Sequence, residues 1–290
     1  MGTRGTRPRT RPSGTAPGWE HGVHSPYAGA VGWIRVIHED EALLVVHKPA
    51  GLVCHPTKGD AASSLIGRIR LHLGLEAEPQ MVHRLDRETS GVMVFGKTAE
   101  ASAELRRLWL GGWVTKEYLA LVHGHPREDE GAIDARLGKD ESAEVSIRDR
   151  VRADGAWART RYRVVQRFER AEGLFAVVRL WLDTGRKHQI RIHMAHLGHP
   201  LVGEKLYGGD ESLYLDFVKR RLTDAHKARL LLANQALHAH RLWLPWDGEE
   251  RVFQSRPEES FRAFVRGEAV PWLEDPFDPL RPSEMMARDA

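Results

Sequence analysis

The chain has 290 residues, 41% hydrophobic and 29% charged, enough for a large core and, by length alone, one or two domains. Its longest run free of Asp, Glu, Lys and Arg is the fourteen residues His21 to Ile34, broken by Gly, Pro and His, whereas a membrane span needs about 20 apolar positions. The first thirty residues hold no apolar signal-peptide core, and a single cysteine, Cys54, excludes an internal disulfide and a multi-cysteine zinc site. The expectation is a soluble, cytoplasmic protein. The formal net charge is +3 and unevenly spread. Residues 1–29 carry +3, residues 30–246 carry +5 and residues 247–290 carry −5, a distribution that suits a polyanionic partner.

In chain order, residues 1–29 hold four arginines and ten Gly or Pro residues and read as a disordered basic arm. WIRVIHED (33–40) and ALLVVHK (42–48) read as short strands, and the Pro-Ala-Gly that follows ends the second. Ser63 to Gly74 reads as a helix, with Leu65, Ile69 and Leu73 on one face. GVMVFGK (91–97) is a strand, Ala99 to Leu110 a helix, and TKEYLALVHG (115–124) another strand. Residues 131–182 are mainly β, including RTRYRVVQRFE (159–169) and LFAVVRLWL (174–182). Lys187 to Leu197 is a helix stopped by Gly198, residues 210–229 are helical and charged, 236–246 return to strand, and 258–266 form a closing helix. Residues 271–290, with four prolines, read as a loosely ordered acidic tail. The fold class is α+β: one catalytic domain over 30–270, with a mixed, largely antiparallel sheet, flanking helices and a central cleft.

Three polar clusters interrupt this pattern: HKPAGLVCHP (47–56), HRLDRETSG (83–91) and GRKHQIRIHMAHLGHP (185–200). The residues alone leave Asp86 two readings. One is a turn carboxylate bonded to Thr89 or Ser90; the other is a carboxylate held for nucleophilic or electrostatic work. The third cluster reads as a helix exposing Arg186, Lys187, His188, Gln189, Arg191 and His193, with Arg191 near the apolar seam, where a long cation reaches for a partner. Its histidines invite a metal reading, but there is no HExxH pattern. His238 and His240 are expected on opposite faces of their strand, which argues against joint ligation. Neither GxGxxG nor a P-loop is present, so no nucleotide cofactor is expected.

Together the clusters resemble one family, the RluA-type pseudouridine synthases. HRLDRETSGVMVFGKT (83–98) is similar to that family's HRLD-x-x-TSG signature, HKPAG to its KPAG segment and VTKEYLALVHG (114–124) to its K-x-Y-x-A-x-V-x-G strand. GRKHQIRIHMAHLGHPLVGEKLYG (185–208) resembles its GR-x-HQIR-x-H stretch, and ALHAHRL (236–242) its LHA strand. The resemblance runs in order from about residue 43 to 245. It implies a pseudouridine synthase fold and RNA as partner, either ribosomal or transfer RNA, with no cofactor, no metal and a monomeric enzyme. It makes Asp86 the catalytic aspartate and Arg191 its paired arginine. Tyr118 becomes the tyrosine against the target base and a candidate proton acceptor, although an ordinary core aromatic is the plainer reading. Leu237 becomes the apolar residue under the uracil. His83, Arg84, Arg186, His188 and Gln189 are expected to contact substrate, His83 and Arg84 through phosphate or else as local caps. Three departures stand out: His47 for the commoner Asn, Gly96 for Ala and Glu204 for Asp. None is expected to touch the chemistry, and Gly96 is expected to loosen the strand behind Asp86.

Overall fold

The computed structural model describes residues 34–56, 63–74 and 76–273; the expected arm and most of the acidic tail lie outside the described residues. The elements are the strands β1 (Arg35–Glu39) and β2 (Leu43–Lys48), helix α1 (Leu65–Leu73), strands β3 (Gln80–Met81) and β4 (Ser90–Gly96), and helix α2 (Ala99–Leu110). Then come β5 (Thr115–His123), β6 (Glu130–Asp134), β7 (Leu137–Lys139), β8 (Asp149–Val151), β9 (Arg159–Arg170) and β10 (Gly173–Leu182). Helices α3 (Gln189–His196), α4 (Ser212–Val218) and α5 (Asp224–Leu230), strands β11 (Leu237–Trp246) and β12 (Glu249–Gln254), and helix α6 (Glu259–Val265) complete the chain.

One ten-stranded sheet runs in the order β1-β2-β4-β11-β5-β10-β9-β6, with β3 beside β4 and β12 beside β11; β7 and β8 form a separate pair. Every pairing in the large sheet is antiparallel except β4 with β11. The continuous apolar run of β2 follows from its place between β1 and β4: Leu44 and Val46 enter one core cluster, Leu43 and Val45 another. A strand covered on both faces loses the apolar–polar alternation. The larger cluster joins α1 (Leu65, Ile66, Ile69) and α3 (Ile190, Met194) to Leu85, Tyr118 and Leu237. The helix starts are chemically plain. Ser64 caps α1 by accepting from the Gly67 amide, and Thr98 caps α2 by accepting from the Ala101 amide.

Five expectations need correction. Helix α3 begins at Gln189, two residues later than expected, because His188 adopts a left-handed conformation with φ 54°. Its polar residues are not a solvated face: Gln189, Arg191 and His193 are all buried, and His193 bonds Thr160 Oγ1 and the Ala135 carbonyl. Residues 210–229 form two short helices, the second opened by a capping box on Thr223. His238 and His240 do not point apart. Residues two apart on a strand share a side, and both rings bond the Ser255 carbonyl, at 3.0 and 2.7 Å. Gly96 is buried and paired on both sides, to Leu43 and Gln80. A Cβ there would stand 2.4 Å from Ser102 Oγ, so this glycine lets α2 close on the sheet instead of loosening it.

The parallel contact between β4 and β11 is short, Ser90 opposite His238 and Gly91 opposite Ala239, and it joins the HRLD segment to the LHA strand. At φ 123°, Gly91 has no room for a side chain: a Cβ would lie 2.2 Å from the Ala239 carbonyl oxygen. Gly91→Ala is expected to destabilise the fold by about 3 kcal/mol or more, combining overpacking with a disfavoured backbone. Urea denaturation of the variant measures this, and an unchanged midpoint would contradict the close approach.

Candidate active site

Asp86 lies in the loop between β3 and β4, and each residue from 86 to 90 is tied to a different part of the chain. The Arg191 guanidinium donates to Asp86 Oδ2 at 3.1 Å. The Arg87 carbonyl accepts from the Gly51 amide and from Lys48 Nζ, both at 2.9 Å. Lys48 is fully buried and donates also to the carbonyls of Pro49 and Leu52. The Glu88 carboxylate takes Lys205 Nζ at 2.8 and 2.9 Å, and this lysine is equally buried. Thr89 Oγ1 accepts from Gln235 Nε2, and its amide donates to the Asp86 carbonyl. Ser90 Oγ bonds His238 Nδ1 at 2.8 Å. Since His238 Nε2 donates to the Ser255 carbonyl, Nδ1 is the acceptor for the Ser90 hydroxyl. Burial holds His238 well below the usual histidine range, so this tautomer persists.

Behind Asp86 stands a residue to which the sequence assigns no role. Glu204 receives Arg191 through Nε and Nη2, both at 2.7 Å, and its Oε1 also accepts the amides of Leu206 and Tyr207. Arg191 is therefore shared: two donors to a carboxylate 1% exposed, one to Asp86, whose side chain is 26% exposed. Burial works against both charges, but for Glu204 the charge and hydrogen bonds of Arg191 outweigh it and bring the carboxyl down to about 2. On Arg191 the same opposition ends with the pKa raised, through Glu204 first and Asp86 after it. The expectation that the Glu204 departure is remote from the chemistry is thus overturned.

His188 Nδ1 bonds the Tyr207 hydroxyl at 2.8 Å, while its Nε2 lies 3.8 Å from Asp86 Oδ1. Burial lowers the ring to about 4 against the pull of Asp86, so it is neutral at physiological pH. The Tyr207 ring lies under the Arg191 guanidinium, 5.1 Å from its centroid. Tyr118 on β5 and Leu237 on β11 are buried in the same cluster as Leu85, and Ala239, two residues after Leu237, pairs with Tyr118. They form an apolar floor beside the carboxylate. Burial, and then the Asp86 charge, push the Tyr118 hydroxyl up.

The expected contact residues divide. Arg84 and Arg186 are exposed on the loops before Asp86 and before α3. Gln189 is spent inside the protein: it donates to the Arg159 carbonyl and Thr160, and accepts from Thr184 and the Arg186 amide. In the free protein these bonds shape the turn before α3. His83 likewise accepts from the Val94 amide and stacks on Trp109 with centroids 4.5 Å apart, and burial lowers its ring to about 3. In the free protein it serves as a local brace. Among the described residues, no group of three His, Cys, Asp or Glu side chains is placed to hold a metal, and no helix is long and apolar enough to cross a membrane.

The chain as a whole resembles known proteins. The sequence profile described as RNA pseudouridylate synthase matches residues 42–196. The chain belongs to the RNA pseudouridylate synthase family. It is 35% identical over 249 residues to an RNA pseudouridine synthase of Aquifex aeolicus, covering 83% of this chain and 73% of that one. To the ribosomal large subunit pseudouridine synthase D of Xylella fastidiosa it is 40% identical over 218 residues, 72% of this chain and 61% of the relative. Among solved structures it resembles Human RNA Pseudouridylate Synthase Domain Containing 4, with a TM-score of 0.63 and 27% identity over 80% of this chain and 92% of that one. Domain Containing 1, at a TM-score of 0.64, 23% identity and coverage of 89% and 94%, shares the fold. The chain thus spans 73% of the length of the Aquifex relative and 61% of that of the Xylella relative.

The Glu204–Arg191 pair gives a test. Glu204→Gln keeps the shape and the two amide bonds but leaves a buried guanidinium short of charge, and is expected to cost about 3–5 kcal/mol. Glu204→Asp retains the charge and is expected to cost much less. The native carboxyl is depressed, so its contribution is complete above the ordinary value of 4.5 and fades as pH falls toward 2. The wild-type advantage over Glu204→Gln in denaturation experiments should therefore shrink through that window. An equal loss for both variants at every pH would show that charge is not what Glu204 provides.

Proposed function

We propose that this protein isomerises specific uridines in ribosomal or transfer RNA to pseudouridine, with Asp86 as the catalytic carboxylate and without a cofactor. The observation that carries the reading is Asp86 itself: a partly exposed carboxylate, fixed by Arg191, beside the apolar floor of Tyr118 and Leu237. The Xylella relative is named for the ribosomal large subunit, which supports the ribosomal choice. A uridine in a stacked RNA cannot reach such a cleft and has to be flipped out, which costs a few kcal/mol. Tyr118 then offers a face for the uracil and Leu237 a floor.

The reaction breaks the N1–C1′ bond, and the bonding pair stays with the uracil. The sugar carbon becomes electron-poor, and Asp86 answers it as nucleophile or as counter-charge. The base turns, C5 bonds to C1′, the C5 proton leaves and N1 regains one. Atoms and electrons balance within the nucleotide, so no donor or oxidant enters. Tyr118 is the proposed acceptor of the C5 proton. Its hydroxyl is held protonated by burial first and by the Asp86 charge second, so it acts as a relay, passing its own proton on to N1 as it receives the one from C5.

Tritium release from RNA carrying 5-tritiated uridine tests the reading. Asp86→Asn keeps the side-chain shape and is expected to lower turnover by several orders of magnitude, about 10⁴-fold, while fold and RNA affinity stay near wild type. Wild-type turnover by this variant would falsify the role of Asp86. RNA binding by the native protein with no tritium release on any cellular RNA would instead make it a binding scaffold. Tyr118→Phe preserves the stacking ring and is expected to lower the rate about 10²-fold or more with RNA binding little changed. Unaltered turnover there would leave Tyr118 as a packing residue alone.

A further inference from the structure

The arginines of β9 are matched by acids: Arg159 and Arg161 meet Asp183, Arg163 meets Glu130, Arg167 meets Asp129 and Arg170 meets Glu172. Around Asp86 the pattern changes. Arg84, two residues before Asp86, and Arg186, in the turn before α3, form no ion pair with any described residue. Neither does Lys116, two residues before Tyr118 on β5.

Lys116 is the unusual member, because it is partly buried as well as unmatched. No hydrogen bond or ion pair reaches its ammonium among the described residues, and burial alone lowers its pKa. Its Nζ lies 3.6 Å from where a Cβ on Gly185 would stand, and its charge is one of the causes that keep His83 neutral. The ammonium thus sits between the HRLD segment and the Gly185-Arg186 turn, the two stretches that bracket Asp86. A desolvated cation with no partner is a costly arrangement, and three free donors there are completed by an anion.

We infer that Lys116 holds a backbone phosphate next to the flipped uridine, with Arg84 and Arg186 on the loops to either side. The inference rests on the RNA reading above and adds a binding residue to it. A lysine suits a phosphate as a point charge. A flipped nucleotide carries a phosphate at each end, so anchoring one of them fixes the swing of the base toward Tyr118. Because Gly185 is not left-handed and the nearest neighbour of an added Cβ is at ordinary van der Waals distance, a carboxylate can be built beside Lys116 without wedging the turn.

The experiment is the affinity for a labelled, uridine-rich single-stranded RNA against salt concentration. Removing one phosphate interaction with single-stranded RNA lowers the slope of log affinity on log salt by about 0.7, about fivefold in affinity at 0.1 M salt. Lys116→Met is expected to show both changes, with a Tm at or above wild type since an unmatched buried charge is removed. Lys116→Arg is expected to keep slope and affinity. Gly185→Asp should reproduce the loss in the wild-type background and add little to Lys116→Met, because the new carboxylate acts on the same ammonium. Coincident lines for wild type and Lys116→Met would overturn the inference, as would full additivity with Gly185→Asp. Tritium release by the native protein separates the two readings. An inactive protein whose RNA affinity still falls in Lys116→Met loses the isomerase reading and keeps the phosphate site. An active one with an unchanged slope does the reverse.

Discussion

The geometry around Asp86 depends on one guanidinium placed between two carboxylates. Arg191 gives two donors to Glu204 and one to Asp86, and the inequality matters. A buried arginine facing Asp86 alone would be free to swing with it, whereas the bidentate fork on Glu204 fixes the plane of the guanidinium. Glu204 is fixed in turn by the amides of Leu206 and Tyr207. The direction from which Asp86 meets its partner is therefore set by backbone on the far side of the cleft. The three charges sum to −1, so the exposed end of the array keeps a negative charge, which in the proposed mechanism faces the positive charge developing on the sugar. Fixing such a dipole before substrate arrives is the arrangement that stabilises a transition state without reorganisation during reaction.

The same logic explains two fully buried lysines that take no part in the chemistry. Lys48 and Lys205 grip the loop from opposite ends of the sequence, Lys48 through the Arg87 carbonyl and Lys205 through the Glu88 carboxylate. Gln235 and His238 add ties from the segment before β11 and from β11 itself. A loop of irregular backbone inside a protein has to satisfy its polar groups somewhere, and here the partners come from the KPAG, GEKLYG and LHA stretches. Those stretches are far apart in sequence, and the loop is where they converge. Small displacements of a reacting group carry large rate penalties, so a loop tied at every residue is a catalytic device as much as a folding one.

Much of this is legible in the sequence. The strongly patterned elements, such as α2 and β10, fall within a residue or two of their expected bounds, because apolar spacing and Thr98-type caps are local signals. The hairpin of β11 and β12 has a local signal too, Asp247-Gly248 with φ of 52° and 80°, but β12 is polar and carries no strand pattern of its own. Helix α3 misleads for a different reason. Its charged and polar residues look like a solvated face, and the packing of β8, β9 and the 201–207 segment around it, with Thr160 meeting Gln189 and His193 and Glu204 meeting Arg191, turns them into buried partners. Asp86, Arg191, Tyr118 and Leu237 are reachable through motif resemblance. Glu204 is not, because a conservative-looking exchange carries no sign, in one dimension, of the arginine it will meet.

Seen as charge rather than as residues, the cleft has two zones of opposite sign. Inside, the matched group of Glu204, Arg191 and Asp86 leaves a net negative end toward the floor of Tyr118 and Leu237. On the flanking loops, Arg84, Lys116 and Arg186 are positive and unmatched among the described residues. A uniformly basic cleft would attract RNA but would let a phosphate settle against the catalytic carboxylate's partner, competing for Arg191. A uniformly acidic one would repel the polymer. With the signs separated, the proposed function has the outer cations take the phosphates and Asp86 repel them, while the uncharged uracil meets no electrostatic barrier to the apolar floor. Coulomb interactions across a screened surface fade within a Debye length of about 8–10 Å at physiological salt, but far less in a buried site. In that proposal the outer zone is the part of binding that salt weakens, and the inner triad keeps its geometry at salt concentrations that release the RNA.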